Sequence, residues 1–266
     1  MEGMDFPLSR AVVPRLDVLD TAGSTNDELV RGATGADAAL WPDLAVIVTD
    51  SQTTGRGRLG RSWVSPAGKS LAISVLLRPA ARVGSALPVD RFGWFPLLAG
   101  LAMTRAVTAV VPSGVSLKWP NDVLIGGKKV CGILSELLPD ARGVVIGAGL
   151  NVSLGEDDLP VETATSLLLA GVEQPDPDAV LAAYLTELTG LVGNLLAAGG
   201  DVGASGLLSA VTERCETIGR PVRVELPSGS PLLGTATAID QEGRLIVETN
   251  TRVTAVAAGD VTHLRY

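Results

Sequence analysis

The chain has 266 residues, 46% hydrophobic and 19% charged, with 21 basic against 29 acidic side chains for a net charge of −8. That length buries enough apolar surface to fold without disulfides or a structural metal, and the apolar content is too high for a disordered chain. The acidic balance lacks the dominant positive field of a non-specific nucleic-acid binder.

Residues 16–19 suggest a short strand. Thr25, with Glu28 three residues on, has capping-box spacing, which predicts a helix from there to about Arg31. Residues 44–49 are expected as a buried strand, 50–62 as a polar glycine-rich loop, and 71–77 as a second buried strand ended by Pro79. Residues 96–111 are apolar most of the way round a helix and are therefore expected to be buried. Residues 115–118 form a strand leading into Trp119-Pro120-Asn121-Asp122. A hairpin of 123–125 and 129–138 turns at Gly126-Gly127, and 144–152 is another strand. Residues 177–198 keep a helical apolar rhythm stopped by Gly199-Gly200. From Arg220 the pattern alternates, with strands at 221–226, 233–239, 244–249 and 252–257 and turns at 227–229 and 241–243. Strands mostly follow strands. The expected fold is α+β, a mixed or antiparallel sheet with helices over residues 1–217, carrying a small β-barrel over 218–266.

Two cysteines, Cys131 and Cys215, form no disulfide framework and are expected to be buried, inert thiols in a reducing compartment. One histidine, His263, supports neither a His/Cys zinc site nor a Ser-His-Asp triad. No secretory signal is evident, and the longest apolar stretch, 92–104, is too short to span a bilayer and contains Pro96. A cytoplasmic location with no membrane attachment is expected. There are 17 Arg but only four Lys, and three of those, Lys118, Lys128 and Lys129, lie close together.

Four segments carry chemistry. In Gly55-Arg56-Gly57-Arg58-Leu59-Gly60-Arg61, followed by Ser62-Trp63, three guanidiniums and three glycines describe either a mobile loop able to close over an anion or a solvated turn, the acidic chain arguing against a nucleic-acid tract. The phosphate-cradling pattern G-x-x-x-x-G-K-[ST] is absent. Lys118-Trp119-Pro120-Asn121-Asp122 projects polar groups where a strand leaves the sheet, although Asn-Asp after Pro is also an ordinary turn. Gly132-Ile133-Leu134-Ser135-Glu136 and Gly147-Ala148-Gly149-Leu150-Asn151 put glycines on strands, marking either a ligand's close approach or a bulge in a packed sheet.

Together, in this order, the four segments resemble the biotin protein ligases, which carry a GRGRxGR loop, a KWPND segment, a lysine before a GIL-x-E strand, and a GxGxN strand. Ser24-Thr25-Asn26 and Gln52 match as well. The resemblance implies a class II synthetase-like catalytic domain with a C-terminal SH3-like barrel. It also implies a two-step reaction: biotin and MgATP give biotinyl-5′-AMP, which biotinylates one lysine of a biotin carboxyl carrier domain of an acyl-CoA or pyruvate carboxylase. Ser24, Thr25, Gln52 and backbone around Gly132 then hold biotin, with Gly55, Arg56, Arg58 and Lys129 at its carboxylate side, while Asn26 supports the pocket. The adenylate falls to Arg56, Arg58, Arg61, Trp63, Lys118, Asn121, Lys129 and Asn151, with Asn151 on adenine and Lys129 between carboxylate and α-phosphate. Asp122 contacts Mg²⁺ or orients the incoming amine, so Lys129, Arg58 and Asp122 are the catalytic set. Two unit anions about 4 Å apart repel by roughly 4 kcal/mol at a surface-like dielectric, which is what these cations offset.

Two departures stand out. Some family members begin with a DNA-binding helix-turn-helix domain; the motifs here start too near the N-terminus for one, so no operator binding is expected. Some relatives close an aromatic residue over adenine; residues 160–170 here hold none, which implies weaker retention of the adenylate. A lipoate ligase and a non-catalytic biotin sensor are the competing readings, and the resemblance leaves monomer or homodimer open.

Overall fold

In a computed structural model, which describes residues 5–63, 66–83, 87–226 and 230–264, the chain runs through six α-helices and fourteen strands. They are α1 (Pro7–Arg10), β1 (Arg15–Val18), α2 (Thr25–Thr34), β2 (Ala45–Thr49), β3 (Gly55–Arg56), β4 (Ser62–Trp63), β5 (Ser70–Leu77), α3 (Pro79–Val83), α4 (Trp94–Thr108), β6 (Val115–Lys118) and β7 (Asp122–Ile125). There follow β8 (Lys128–Leu137), β9 (Val144–Asn151), α5 (Pro177–Ala197), α6 (Leu207–Arg214), β10 (Pro221–Glu225), β11 (Leu232–Ile239), β12 (Leu245–Glu248), β13 (Val253–Val256) and β14 (Asp260–His263).

Seven strands form one mixed sheet in the order β1-β2-β5-β9-β8-β7-β6. Only β1 and β2 run parallel; the other neighbours are antiparallel. The expected mixed sheet is therefore present. A second, antiparallel sheet follows in the order β13-β12-β11-β10-β14. The alternating pattern marked its first four strands and missed β14. The expected turn at 227–229 lies outside the described residues.

Alternation along the strands decides the two faces of the main sheet. Leu71, Ile73, Val75 and Leu77 of β5, with Val144, Ile146, Ala148 and Leu150 of β9, point into the main core beneath α4 and α5. Twelve of the fifteen residues of α4 are buried, as its unbroken apolar surface demands. The opposite face is split. At one end Leu76, Val145, Ala45 and Ile47 pack under Leu29 and Ala33 of α2. At the other end the same rows shrink to Ala72 and Ser74 on β5 and to Gly147 and Gly149 on β9, and the cover there is Trp63 and Asn26 rather than a packed helix face. The site sits there.

The helix expected from Thr25 is present, but its cap is Ser24, whose Oγ accepts from the Asp27 backbone N–H at 3.4 Å. The capping pattern was therefore misplaced by one residue. The short helices α1, α3 and α6 carried too little periodic pattern to be foreseen. Among the described helices α5 is long and apolar enough to cross a membrane by length and composition alone, and half of that stretch is buried. It packs on α4, and its Asp178 holds α1 by accepting from the Leu8 and Ser9 backbone N–H groups at 2.8 and 2.9 Å. Both cysteines are free and buried, and burial pushes the Cys131 thiol up to about 12.

Candidate active site

A cleft opens over the small-residue end of the sheet. Its floor is glycine. Gly132 of β8 pairs with Gly149 of β9, and Gly147 lies two residues along. A Cβ on Gly132 would meet Lys129 Nζ at 2.9 Å, and one on Gly147 would meet Asn26 Oδ1 at 2.6 Å; on Gly149 it would collide with the Trp63 indole. The bare backbone is thus what lets side chains, or a ligand, lie flat on the sheet.

One end of the cleft is neutral and densely hydrogen-bonded. Gln52 Oε1 accepts from the Thr25 backbone N–H at 2.9 Å and from its hydroxyl at 3.2 Å. Ser74 Oγ lies 2.8 Å from the Thr25 hydroxyl and donates to Asn26 Oδ1 at 2.6 Å, and Asn26 Nδ2 donates to Glu136 Oε2 at 2.6 Å. Ser24, Thr25, Asn26 and Ser74 are all buried. The start of α2 fixes the first three, so one short segment both caps a helix and lines a pocket.

The other end collects charge. The β6–β7 hairpin pairs Lys118 with Asp122 across its mouth, and Asn121 N–H donates to Lys118 O at 3.1 Å to close the turn. The Trp119–Pro120 peptide within it is cis. Lys129, on the neighbouring β8, brings Nζ to 2.6 Å from Asp122 Oδ1. This is an ion pair without hydrogen-bond alignment, since Asp122 Oδ1 has no well-directed donor. Backbone from 163–165 holds Lys129: its N–H donates to Thr163 O at 2.7 Å and its carbonyl accepts from Thr165 N–H at 2.8 Å. Burial pulls both the Arg58 guanidinium and the Lys118 ammonium down from their ordinary values, with the Asp122 charge opposing. Two desolvated cations beside one carboxylate leave positive charge that an anionic ligand can neutralise.

The arginine loop roofs the cleft. Gly55-Arg56 and Ser62-Trp63 form a two-residue hairpin, and Gly60 takes a left-handed turn at φ +73. Gly55, Gly57 and Gly60 do fall at the G-x-G-x-x-G spacing of dinucleotide-binding turns, but the segment leads into a strand rather than a helix, so that motif's helix N-terminus is lacking. Each arginine of the loop already has a partner. Arg56 reaches Asp27 Oδ1 at 2.5 Å and Glu136 Oε1 at 3.0 Å. Arg58 donates to Asn121 Oδ1 and to the Gly259 carbonyl, both at 3.2 Å. Arg61 pairs with Asp260. Trp63 lies over the glycine floor, with Lys129 Nζ 5.7 Å from its ring centre.

The structure therefore gathers Ser24, Thr25, Gln52, Arg56, Arg58, Arg61, Trp63, Asn121, Asp122, Lys129 and Gly132 around one cleft. Three expected residues stand back from its walls. Gly55 is buried under Gln52 and Trp63. Lys118 sits behind Asp122. Asn151 is buried, and its amide donates to the Thr165 carbonyl at 2.8 Å. Asp27, Ser74, Glu136 and Asp260 also shape the site and were not foreseen as site residues. Asp260 comes from the second sheet, and nothing in a short alternating strand announces which catalytic loop it will meet. Among the described residues no cluster of three or more His, Cys, Asp or Glu could hold a metal ion.

The same two regions match known family models. Residues 24–151 match the biotin/lipoate A/B protein ligase family, and residues 217–264 match the biotin protein ligase C-terminal domain. A biotin–[acetyl-CoA-carboxylase] ligase of Mycobacterium tuberculosis is 41% identical, covering 94% of this chain and 90% of that protein. The chain belongs to the biotin protein ligase family. A bifunctional ligase/repressor of Bacillus subtilis is 31% identical, covering 92% of this chain but 72% of its own length. The solved Aquifex aeolicus biotin protein ligase in complex with biotin and ATP superposes with a TM-score of 0.75 at 26% identity, covering 95% of this chain and all of that one.

Proposed function

We propose that this chain is an ATP-dependent biotin ligase acting on a lysine of biotin carboxyl carrier domains, with acetyl-CoA carboxylase subunits as its acceptors and pyruvate carboxylase as a further candidate. The carrying observation is one cleft that joins a neutral hydrogen-bonding end to a cationic end across a glycine floor. Biotin has that polarity: a ureido ring at one end, a carboxylate at the other.

The ureido ring lies against Ser24, Thr25 and Gln52, with its carboxylate toward Lys129. A carboxylate oxygen attacks the α-phosphorus of MgATP, an O–P bond forms, and the bond to the β-phosphate breaks to release pyrophosphate. Arg58, Lys118 and Lys129 offset the charge that develops there. Arg56 and Arg61 exchange their own carboxylate partners for phosphate oxygens. Mg²⁺ enters with the triphosphate. Asn121 and Asn151 flank the adenylate, and the aromatic-free 160–170 stretch lets it dissociate more readily. In the second step the acceptor amine attacks the mixed anhydride, its C–O bond breaks, and AMP leaves. A lysine amine has a reference pKa of about 10.4, so it needs a base, and Asp122 orients it or takes its proton. We place the domain boundary at 217/218 and the protein in the cytoplasm.

Pyrophosphate release from MgATP, with biotin or lipoate as the only added acid, tests this. Release that requires biotin is expected. Release that requires lipoate changes the substrate, and tight biotin binding without release makes the protein a sensor.

A further inference from the structure

The junction between the two sheets is built as an extension of the site strand. After α6 the chain returns alongside β6: Cys215 bridges Leu117, and Glu216 N–H donates to Leu117 O at 2.9 Å. One residue on, the fully buried Thr217 hydroxyl accepts from the Trp119 backbone N–H at 3.1 Å. Trp119 lies between Lys118 and Asp122, so this bond fixes the backbone from which the site's ammonium and carboxylate project. The chain's one histidine, on β14 of the second sheet, completes the arrangement. His263 Nε2 is 3.2 Å from Thr217 Oγ1, and Nδ1 is 3.4 Å from Glu216 Oε1. The second Glu216 oxygen accepts from Ser116 Oγ, on β6, at 2.7 Å.

The proton inventory is constrained. The Glu216 carboxylate can only accept, so it favours the proton on Nδ1 and leaves the Nε2 lone pair toward the Thr217 hydroxyl, which donates there while its oxygen accepts from Trp119 N–H. Nδ1–H then faces the Glu216 carboxylate, and the series Trp119–Thr217–His263–Glu216–Ser116 runs without a donor meeting a donor. His263 and Glu216 expose only 14% and 19% of their side chains, so these bonds are little diluted by solvent.

We infer that His263 is a positioning residue for adenylate formation: through Thr217 it holds the Trp119 backbone, and with it Lys118 and Asp122, in register for the phosphates. The inference rests on the proposed role of Lys118 and Asp122 in the cationic end. It reaches the site without touching either substrate, and it leaves the biotin end, carried by α2 and β5, untouched.

The test is steady-state pyrophosphate release by the full-length enzyme. His263→Leu is expected to raise KM for MgATP about three- to tenfold, the range of one lost hydrogen bond, with KM for biotin within about twofold. His263→Gln keeps an acceptor at the Nε2 position and is expected to restore most of the loss. His263→Asn keeps only the Nδ1 contact and is not. Thr217→Val should reproduce the His263→Leu change, and the double variant should be no worse than either single one, whereas Thr217→Ser should behave as wild type. Equal rises in both KM values, failure of His263→Gln to rescue, or additive effects in the double variant would overturn the inference. If His263→Leu does not fold, the Thr217 pair decides. Lys118→Ala separates the two levels: if it leaves release unchanged, the reading beneath falls and takes this one with it; if it impairs release while His263→Leu does not, only this one falls.

Discussion

The two ends of the cleft are solved with different physics. At the Thr25 end the uncharged side chains of Gln52, Thr25, Ser74 and Asn26 are joined in one series of contacts, which meets charge only where Asn26 donates to Glu136. At the Lys129 end charge is abundant, and balance is reached only by pairing Lys129 with Asp122 and the loop arginines with Asp27, Glu136 and Asp260. A neutral network is rigid and reads shape. A charged cluster holding its own carboxylates is ready to exchange them for an anion. The same sheet supports both because α2 covers one end and a loop covers the other.

Removing the most buried loop cation should break the contrast most severely. Arg58→Ala is expected to lower biotin-dependent pyrophosphate release by about 10²-fold or more, as for loss of a preorganised charge-stabilising donor; survival within a few-fold would sink the loop's assignment. On the neutral side, Thr25→Val keeps shape but removes the hydroxyl that bonds Gln52 Oε1 and lies against Ser74, so KM for biotin should rise roughly tenfold with KM for MgATP unchanged. Ionic strength offers a milder probe of both ends together. Raising salt from about 0.05 to 0.5 M shortens the screening length, so KM for MgATP, which carries several charges, should climb several-fold while that for biotin, which carries one, moves much less. If both respond alike, the division into a charged and an uncharged end is wrong. In hydrogen exchange, residues 55–63 should gain protection when biotin and MgATP are added together, because closing on phosphate replaces exchangeable surface pairs.

The smallest effect on activity is expected away from the cleft. The His263 contact, backed by Ser116, holds the Glu216 carboxyl down near about 2 from an ordinary 4.5. Its folded value is depressed, so its contribution is complete above the ordinary value and is lost as pH falls toward the folded one. Glu216→Gln should therefore cost about 1–3 kcal/mol near neutral pH, and the gap to wild type should close between about pH 4.5 and 2 in denaturant titrations.

What rests on local pattern is legible in the amino-acid sequence. The apolar runs of β2, β5 and β9 and the periodicity of α5 are set by burial on one or both faces, and burial writes itself into neighbouring residues. The glycines of β8 and β9 were legible as places of close approach, though residue type alone left a bulge as an equal reading. Their pairing across the sheet, with Trp63 laid over them, decides the matter. What was not legible is contact between distant segments. Asp260 meets Arg61 across 199 residues of sequence, and Ser74 looked like any small residue in a buried strand until Asn26 came to lie beside it. The cap of α2 was misplaced because Ser24 and Thr25 are both good capping residues, and only the backbone angle at Ser24 chooses between them.

The 241–243 turn of the second sheet has a practical consequence. Its carbonyls receive two indole N–H groups, Trp94 on Gln241 at 2.8 Å and Trp119 on Gly243 at 3.0 Å. A third indole, Trp63, lies on the glycine floor, and the fourth, Trp41, is stacked under Arg15. The protein thus carries its own optical gauge. Separation of the two sheets would wet two buried emitters and shift their emission to the red, whereas an occupant of the cleft would change the third. Steady-state fluorescence can follow both events without a label.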